Sequence, residues 1–310
     1  MALFDKALEA KVMSTHLLIR ANLSKKLLYE AYEIAKAFEA RYSAYQEHSF
    51  LSEINRAAGK EPVLCTAEDL HLFQRALLAS KQTQGRFDIS IGALSHGAYH
   101  FGFSNQSLAS KALLKAQQRL VNYTKIAVDE KSIFLEEEGM RLDLGGIGKG
   151  YAARLIALFL KEAGATRILV DVGGEIVTEG KAFTIALRDP SGDGYVGYIK
   201  TGKKALSIST SGDYERFIDE KNHHIINTEK GASSTYYHAM TVMRDGWDID
   251  LLDAYATALF NIEPVELVPA AHHLNVSVLA IARNGDIRYL NPDKVSLSNI
   301  SFSGSLLGLG

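Results

Sequence analysis

Three short stretches hold the residues best suited to do chemistry. The first is Asp143-Leu144-Gly145-Gly146-Ile147-Gly148-Lys149-Gly150-Tyr151, with four glycines in six positions between an apolar run and an amphipathic stretch, Tyr151 to Ala163, that reads as a helix. Glycines let backbone amides and carbonyls approach a ligand closely. The positive end of a following helix attracts anions, and Lys149 adds a mobile charge of the right sign for phosphate. A tight strand-to-helix turn, using glycine only for its permissive dihedrals, accounts for the same letters. The spacing is neither the P-loop, which needs Gly-Lys-Ser/Thr, nor the dinucleotide Gly-x-Gly-x-x-Gly.

The second stretch is Leu251 to Phe260, which reads as a helix with Asp253 and Thr257 four residues apart and so on one side. A carboxylate and a hydroxyl on one face are hard oxygen ligands suited to Mg²⁺, which keeps waters and substrate phosphates as further ligands. A helix with one acid near its positive end and an inward-packed threonine accounts for the same letters, and on the residues alone is the commoner arrangement. Asp245, Asp248 and Asp250 read as solvated acids at the helix start. The third stretch is His223-His224-Ile225-Ile226, where a period of two puts His224 on one strand face and His223 on the other. Imidazole is the side chain best matched to accepting a proton near neutral pH, although a strand histidine is commonly a buried hydrogen-bonder. His223, on the opposite face, is expected to be dispensable.

These groups need a scaffold, and the chain predicts one of mixed helices and strands without repeats or linkers. Ser24 caps a predicted helix with Leu27, Ala31, Ile34, Phe38 and Tyr42 at helical spacing. Thr66-Ala67-Glu68-Asp69 resembles a capping box for a second helix, ended near Gly85, and a third is predicted over Ser107 to Leu120. Strand patterns occupy Lys125 to Val128, Ile133 to Leu135, Arg167 to Val172, Phe183 to Leu187, Tyr195 to Lys200, Ala205 to Ser209, Tyr237 to Met243 and Val276 to Ile281. Asp189 to Gly194 reads as a turn, and Asn284-Gly285 as a hairpin. The expected class is α+β with a largely antiparallel sheet and flanking helices.

Composition sets limits. The 310 residues, 47% hydrophobic and 23% charged, suit a globular protein with a sizeable core. A formal net charge of -2 gives no electrostatic reason to expect nucleic acid or an anionic membrane. The single cysteine, Cys65, excludes internal disulfides and a cysteine-based zinc cage, and reads as a small buried hydrophobe. No apolar run is long enough to span a bilayer. Met1 to Val12 lacks an apolar signal core, which favours a cytoplasmic location; a periplasmic or lipid-anchored protein remains the alternative if the N-terminus was truncated.

The loop Asp-Leu-Gly-Gly-Ile-x-Lys-Gly-Tyr resembles the signature of the ApbE-type flavin transferases, FAD:protein FMN transferases, and the resemblance recurs in order along nearly the whole chain. Met13-Ser14-Thr15 stands where that family has Met-Gly-Thr, and Ser43-Ala44-Tyr45, Ser49 and Glu53-Ile54-Asn55 follow its Ser-x-Tyr block. Gly85 to Leu94 is similar to its Gly-x-Phe-Asp-x-Thr-x-Gly-Pro-Leu, and Val170 to Glu175 to its Val-Asn-Val-Gly-Gly. Ser209 to Arg216, His223 to Ile226, and Asp253-Ala254-Tyr255-Ala256-Thr257-Ala258 match its later blocks. Asn227-Thr228 departs from its Asp-Pro, and Gly148 stands where many relatives have Ala.

The resemblance implies a fold and a chemistry. It implies one domain over residues 1–310, built of two intertwined subdomains with the site between them. It implies FAD as substrate, with Met13 and Tyr45 at the flavin ring and Arg86, Phe87, Asp88, Lys149 and Ser211 at the dinucleotide. It implies Mg²⁺ on Asp253, Thr257 and the Gly148 carbonyl, with His224 as general base. The reaction implied is transfer of FMN to a Ser or Thr hydroxyl in an extended loop of an acceptor protein, releasing AMP. An FAD pyrophosphatase releasing FMN and AMP and a non-catalytic FAD-binding protein are the alternatives.

Overall fold

The computed structural model describes residues 5–101, 109–190, 192–213, 217–219, 222–302 and 306–309. Among these a nine-stranded sheet runs Lys6–Val12, Thr15–Ala21, Ile168–Val172, Glu175–Glu179, Leu206–Gly212, Tyr237–Asp245, Ser277–Ala282, Ile287–Leu290 and Leu306–Leu309 from edge to edge. Only the last pair is parallel. The protein is α+β with a largely antiparallel sheet, as its sequence predicts.

Alternation along the strands gives the sheet two apolar faces. Val177 and Val242 point into a cluster with the helices Lys25–Tyr42, Ala67–Gln82, Gly148–Glu162 and Ile249–Phe260. Their chain neighbours Ile176 and Met243 point the other way, against Leu187 and Ile199 of a three-stranded sheet made of Thr184–Arg188, Tyr195–Thr201 and Leu297–Phe302. Each fully buried Leu or Ile contributes about 1.5–3 kcal/mol, so both layers are firmly seated. No helix of the described residues is long and apolar enough to cross a membrane.

Helix boundaries follow their caps. Ser24 accepts from the Leu27 amide, and Thr66 with Asp69 forms a reciprocal capping box. The third predicted helix is found over Lys111–Gln118, capped by Ser110; residues 107 and 108 of the prediction lie outside the described set, as do Tyr214, Glu215 and Arg216 of the family-like block. The helix after the glycine loop begins at Gly148 rather than Tyr151, because glycine at Gly148 and Gly150 allows the backbone to wind early against its neighbours. Several elements have no counterpart in the sequence reading, among them the strands Glu175–Glu179 and Leu297–Phe302 and the helix Leu267–His273. Two of them bear on the site: the helix Phe50–Ala57 behind its Ser49 cap, and the N-terminal hairpin, turned through Met13 and Ser14 at φ 52° and 61°.

Candidate active site

The N-terminal hairpin tip, the glycine loop, the end of the Leu206–Gly212 strand and the helix Ile249–Phe260 surround a cleft of about 500 Å³. All the residues that the sequence assigns to a site line it: Met13, Tyr45, Arg86, Phe87, Asp88, Gly148, Lys149, Ser211, His224, Asp253 and Thr257.

The floor is built by close helix crossing. The Gly150 amide donates to Asp253 Oδ2 at 3.0 Å, and a Cβ on Gly146 would sit 2.9 Å from Thr257 Oγ1 and 3.3 Å from the Phe87 ring. Asp253 is 2% exposed. The Lys149 ammonium lies 2.6 Å from Glu175 Oε1 and 3.9 Å from Asp253 Oδ1. Burial, then the negative charge of Asp253, pushes the Glu175 carboxyl up, with Lys149 pulling the other way. Glu175 Oε2 is buried and has no hydrogen-bond partner among the described residues.

Two acidic groups and one ammonium in so closed a place suit an added cation, and the donors are hard oxygens. Among the described residues no three His, Cys, Asp or Glu side chains cluster as a metal cage. A cation at Asp253 and Thr257 would therefore draw on carbonyl, water or substrate oxygens. As first residue of its helix, Gly148 has a carbonyl whose second lone pair can serve that purpose.

One wall holds groups that the sequence reading left out. Asp143, at the head of the glycine loop, accepts from Ser95 Oγ at 2.7 Å, His96 Nε2 at 3.0 Å and the Gly145 amide at 2.7 Å. Burial alone would raise the Asp143 carboxyl; His96, Ser95 and the amide more than offset this and hold it well below the usual carboxylate range. The His96 ring stacks on Tyr45, with centroids 5.3 Å apart. Tyr45 is 43% exposed, so it is not a core residue and presents a ring face to the cleft. Asn55 fixes the same loop by bonding both backbone groups of Leu142. The one advance signal for this wall was Asp143, the first letter of the glycine loop.

Several side chains are engaged differently from expectation. The Asp88 carboxylate accepts from the Ser90 amide and hydroxyl and from the Tyr123 amide, so any bond to an adenine or ribose would compete with three internal donors. Arg86 reaches outward to Glu266 at 3.2 Å. Asp250 and Asp245 are not solvated acids. Arg75 grips Asp250 in a bidentate pair at 2.6 and 2.7 Å, and Asp245 accepts from Ser296. Cys65 is half-buried, and burial pushes its thiol up to about 11. His224 is half-buried on the cleft, whereas His223 is 1% exposed and fully engaged behind it.

The sequence pattern of the ApbE family matches residues 11–280. The chain belongs to the ApbE family. A protein of Klebsiella pneumoniae (strain 342) named FAD:protein FMN transferase is 28% identical over 281 residues, covering 88% of this chain and 87% of its own length. Among solved structures, the ApbE protein of Thermotoga maritima aligns with a TM-score of 0.82 at 25% identity, covering 92% of this chain and 96% of its own. The flavin transferase ApbE of Vibrio cholerae has the same fold, with a TM-score of 0.79 at 22% identity over 92% and 95% of the two chains.

Two departures from the ApbE pattern have local accounts. A Cβ at Gly148 would meet nothing closer than 3.4 Å, so Gly and Ala are both accommodated there. At the Asp-Pro position, Asn227 Oδ1 accepts from the amides of Glu229 and Lys230 and its Nδ2 donates to Asn261 O, a bond no carboxylate could make. Thr228 Oγ1 donates to Gly85 O, tying the turn to the Arg86–Asp88 segment. The loop that follows His224 is therefore held without the acid or the proline.

Proposed function

We propose that this ApbE-family enzyme transfers FMN from FAD to a Ser or Thr hydroxyl presented by an extended loop of an acceptor protein, with Mg²⁺ and with release of AMP. The observation that supports it best is convergence: residues drawn from the hairpin at Met13 to the helix at Thr257 line a single cleft of a volume that suits a large cofactor. The relatives named FAD:protein FMN transferase support the same reading.

The residues divide the work by position. Tyr45, with His96 stacked behind it, offers a flat face for an isoalloxazine, and Met13 packs softly nearby. Lys149 and the amides at the start of its helix face the pyrophosphate, and Ser211 donates to a phosphate oxygen. Asp253, Thr257 and the Gly148 carbonyl would hold Mg²⁺, which neutralises charge on the pyrophosphate. His224 removes the proton from the acceptor hydroxyl as that oxygen bonds to the FMN-side phosphorus. The bond from that phosphorus to the bridging oxygen breaks, and AMP departs with the electron pair.

The test is to incubate the protein with FAD, Mg²⁺ and a candidate acceptor, and to follow AMP and the acceptor's intact mass. AMP with an acceptor gaining the mass of bound FMN supports the transfer. AMP with free FMN alone makes the protein a pyrophosphatase, and tight FAD binding with no AMP makes it a binding protein. In the same assay His224→Ala is expected to lose about 10²–10⁴-fold in turnover, the range of a positioned proton acceptor. A stable, fully active His224→Ala contradicts its role.

A further inference from the structure

The imidazole of His223 is held from both sides. Its Nε2 lies 2.6 Å from the carbonyl oxygen of Ser234, and its Nδ1 lies 3.3 Å from the amide nitrogen of Ile225. A carbonyl can only accept and an amide can only donate, so Nε2 carries the proton, Nδ1 is bare and the ring is neutral. Burial lowers the His223 pKa in keeping with that state. The ring packs edge-on against Phe260 at 5.7 Å. Because Ile225 follows His224 directly, the bond from Nδ1 closes a small loop around His224 itself. On the far side, Ser234 Oγ donates to Phe260 O, and Asn261 Nδ2 donates to Ile226 O. The helix that ends at Phe260 is the one carrying Asp253 and Thr257.

We propose that His223 is the positioning residue of this site, a buried neutral imidazole that fixes the backbone of His224 and registers it against the helix bearing Asp253 and Thr257. The role rests on the reading of His224 as the base. It reverses the expectation that His223, on the face turned from the cleft, is dispensable. Without the ring, Ile225 loses its acceptor and the His224 side chain loses its fixed direction, while Met13, Tyr45 and Lys149 sit on other elements of the cleft.

His223→Phe keeps the packing on Phe260 and removes both bonds. It is expected to lose about 10- to 100-fold in AMP release from FAD and Mg²⁺, the scale of a misplacement near 1 Å, with the FAD dissociation constant unchanged. Combined with His224→Ala it should cost nothing more, since a residue acting through another has no effect once that residue is gone. In ligand-free protein the Ile225 amide should exchange faster by about 10-fold or more, the loss of roughly one buried hydrogen bond. Should His223→Phe fail to fold, His223→Asn, which offers Oδ1 to the Ile225 amide, should keep most of the turnover and the slow Ile225 exchange; a loss of about 10- to 100-fold with that exchange still slow overturns the proposal.

An additive loss in the double variant, or full turnover in the single one, overturns the proposal. Nitrogen NMR of the wild-type histidines provides an arm independent of activity. A protonated Nδ1 or a charged ring at His223 near neutral pH overturns the proposal even if the wild type releases no AMP. That last result by itself would count against the transferase reading alone.

Discussion

Gly150 donates its amide to Asp253 Oδ2 at 3.0 Å, and it does so where no side chain fits. A Cβ there would lie 2.6 Å from Ile249 O and 2.9 Å from Asp253 Cβ. Gly150→Ala is therefore expected to destabilise the fold by about 1–3 kcal/mol through overpacking, despite alanine's better helix propensity. Gly148→Ala, with its nearest neighbour at 3.4 Å, should be neutral or stabilise by up to about 1 kcal/mol. Urea midpoints measure both, and equal midpoints for the two variants would contradict this account of the crossing.

Asp253→Ala is expected to abolish Mg²⁺-dependent AMP release while FAD still binds, because the proposed flavin contacts lie at Met13 and Tyr45. Thr257→Ala should be milder, since water can replace a neutral ligand. Full activity of Asp253→Ala, or of the wild type in excess chelator, removes the metal from the scheme.

Tyr45→Ala should weaken FAD binding by about 1–3 kcal/mol, the magnitude of aromatic–base stacking. Flavin fluorescence titration reads it. An unchanged dissociation constant would leave Tyr45 only as a partner of His96.

Asp69 provides a pH prediction remote from catalysis. It is fully buried and accepts from Arg41 at 2.7 and 2.5 Å, from the Tyr42 hydroxyl and from Thr66. Burial would raise its carboxyl, but Arg41, Tyr42 and Thr66 bring it down to about 2. The folded value lies below the unfolded value of roughly 3.9. The stabilisation, about 2–3 kcal/mol by linkage, is thus complete above the unfolded value and lost as pH falls towards 2. Asp69→Asn should be less stable than wild type at pH 6, with the gap closing as pH approaches 2. Parallel curves would show that the pair contributes nothing through ionisation.

What the sequence made legible depended on whether the signal was local. Ser24 and Thr66 mark their helices because a cap needs only its own next three residues, and the strand at Ile168–Val172 follows from an apolar run broken only by Asp171. The N-terminal hairpin was missed because its tip, Met13-Ser14, has none of the Asn-Gly or Asp-Gly chemistry that announces such turns. Asp250 looked solvated because its partner Arg75 is 175 residues away in sequence. His96 was overlooked for the same reason: its bond to Asp143 spans 47 residues. Of the residues expected in the cleft, Lys149, His224, Asp253 and Thr257 stood out by type and spacing with structural alternatives open, whereas Met13, Tyr45, Asp88 and Ser211 were named by family likeness alone, since a buried tyrosine and a stacking one have the same spacing.

The hairpin tip has an evolutionary corollary. Tips of hairpins are ordinarily where chains accept extra residues most readily. Here the two strands meet directly across Met13 and Ser14, with Val12 opposite Thr15, and both tip residues form part of the cleft wall. Thr15 also fills the space above Gly173, where a Cβ would come within 2.3 Å of its hydroxyl. One added residue would push the wall into the cleft or lift Thr15 from its seat. Length variation among functional homologues should therefore avoid this turn and fall instead in exposed ones such as that at Asn284-Gly285.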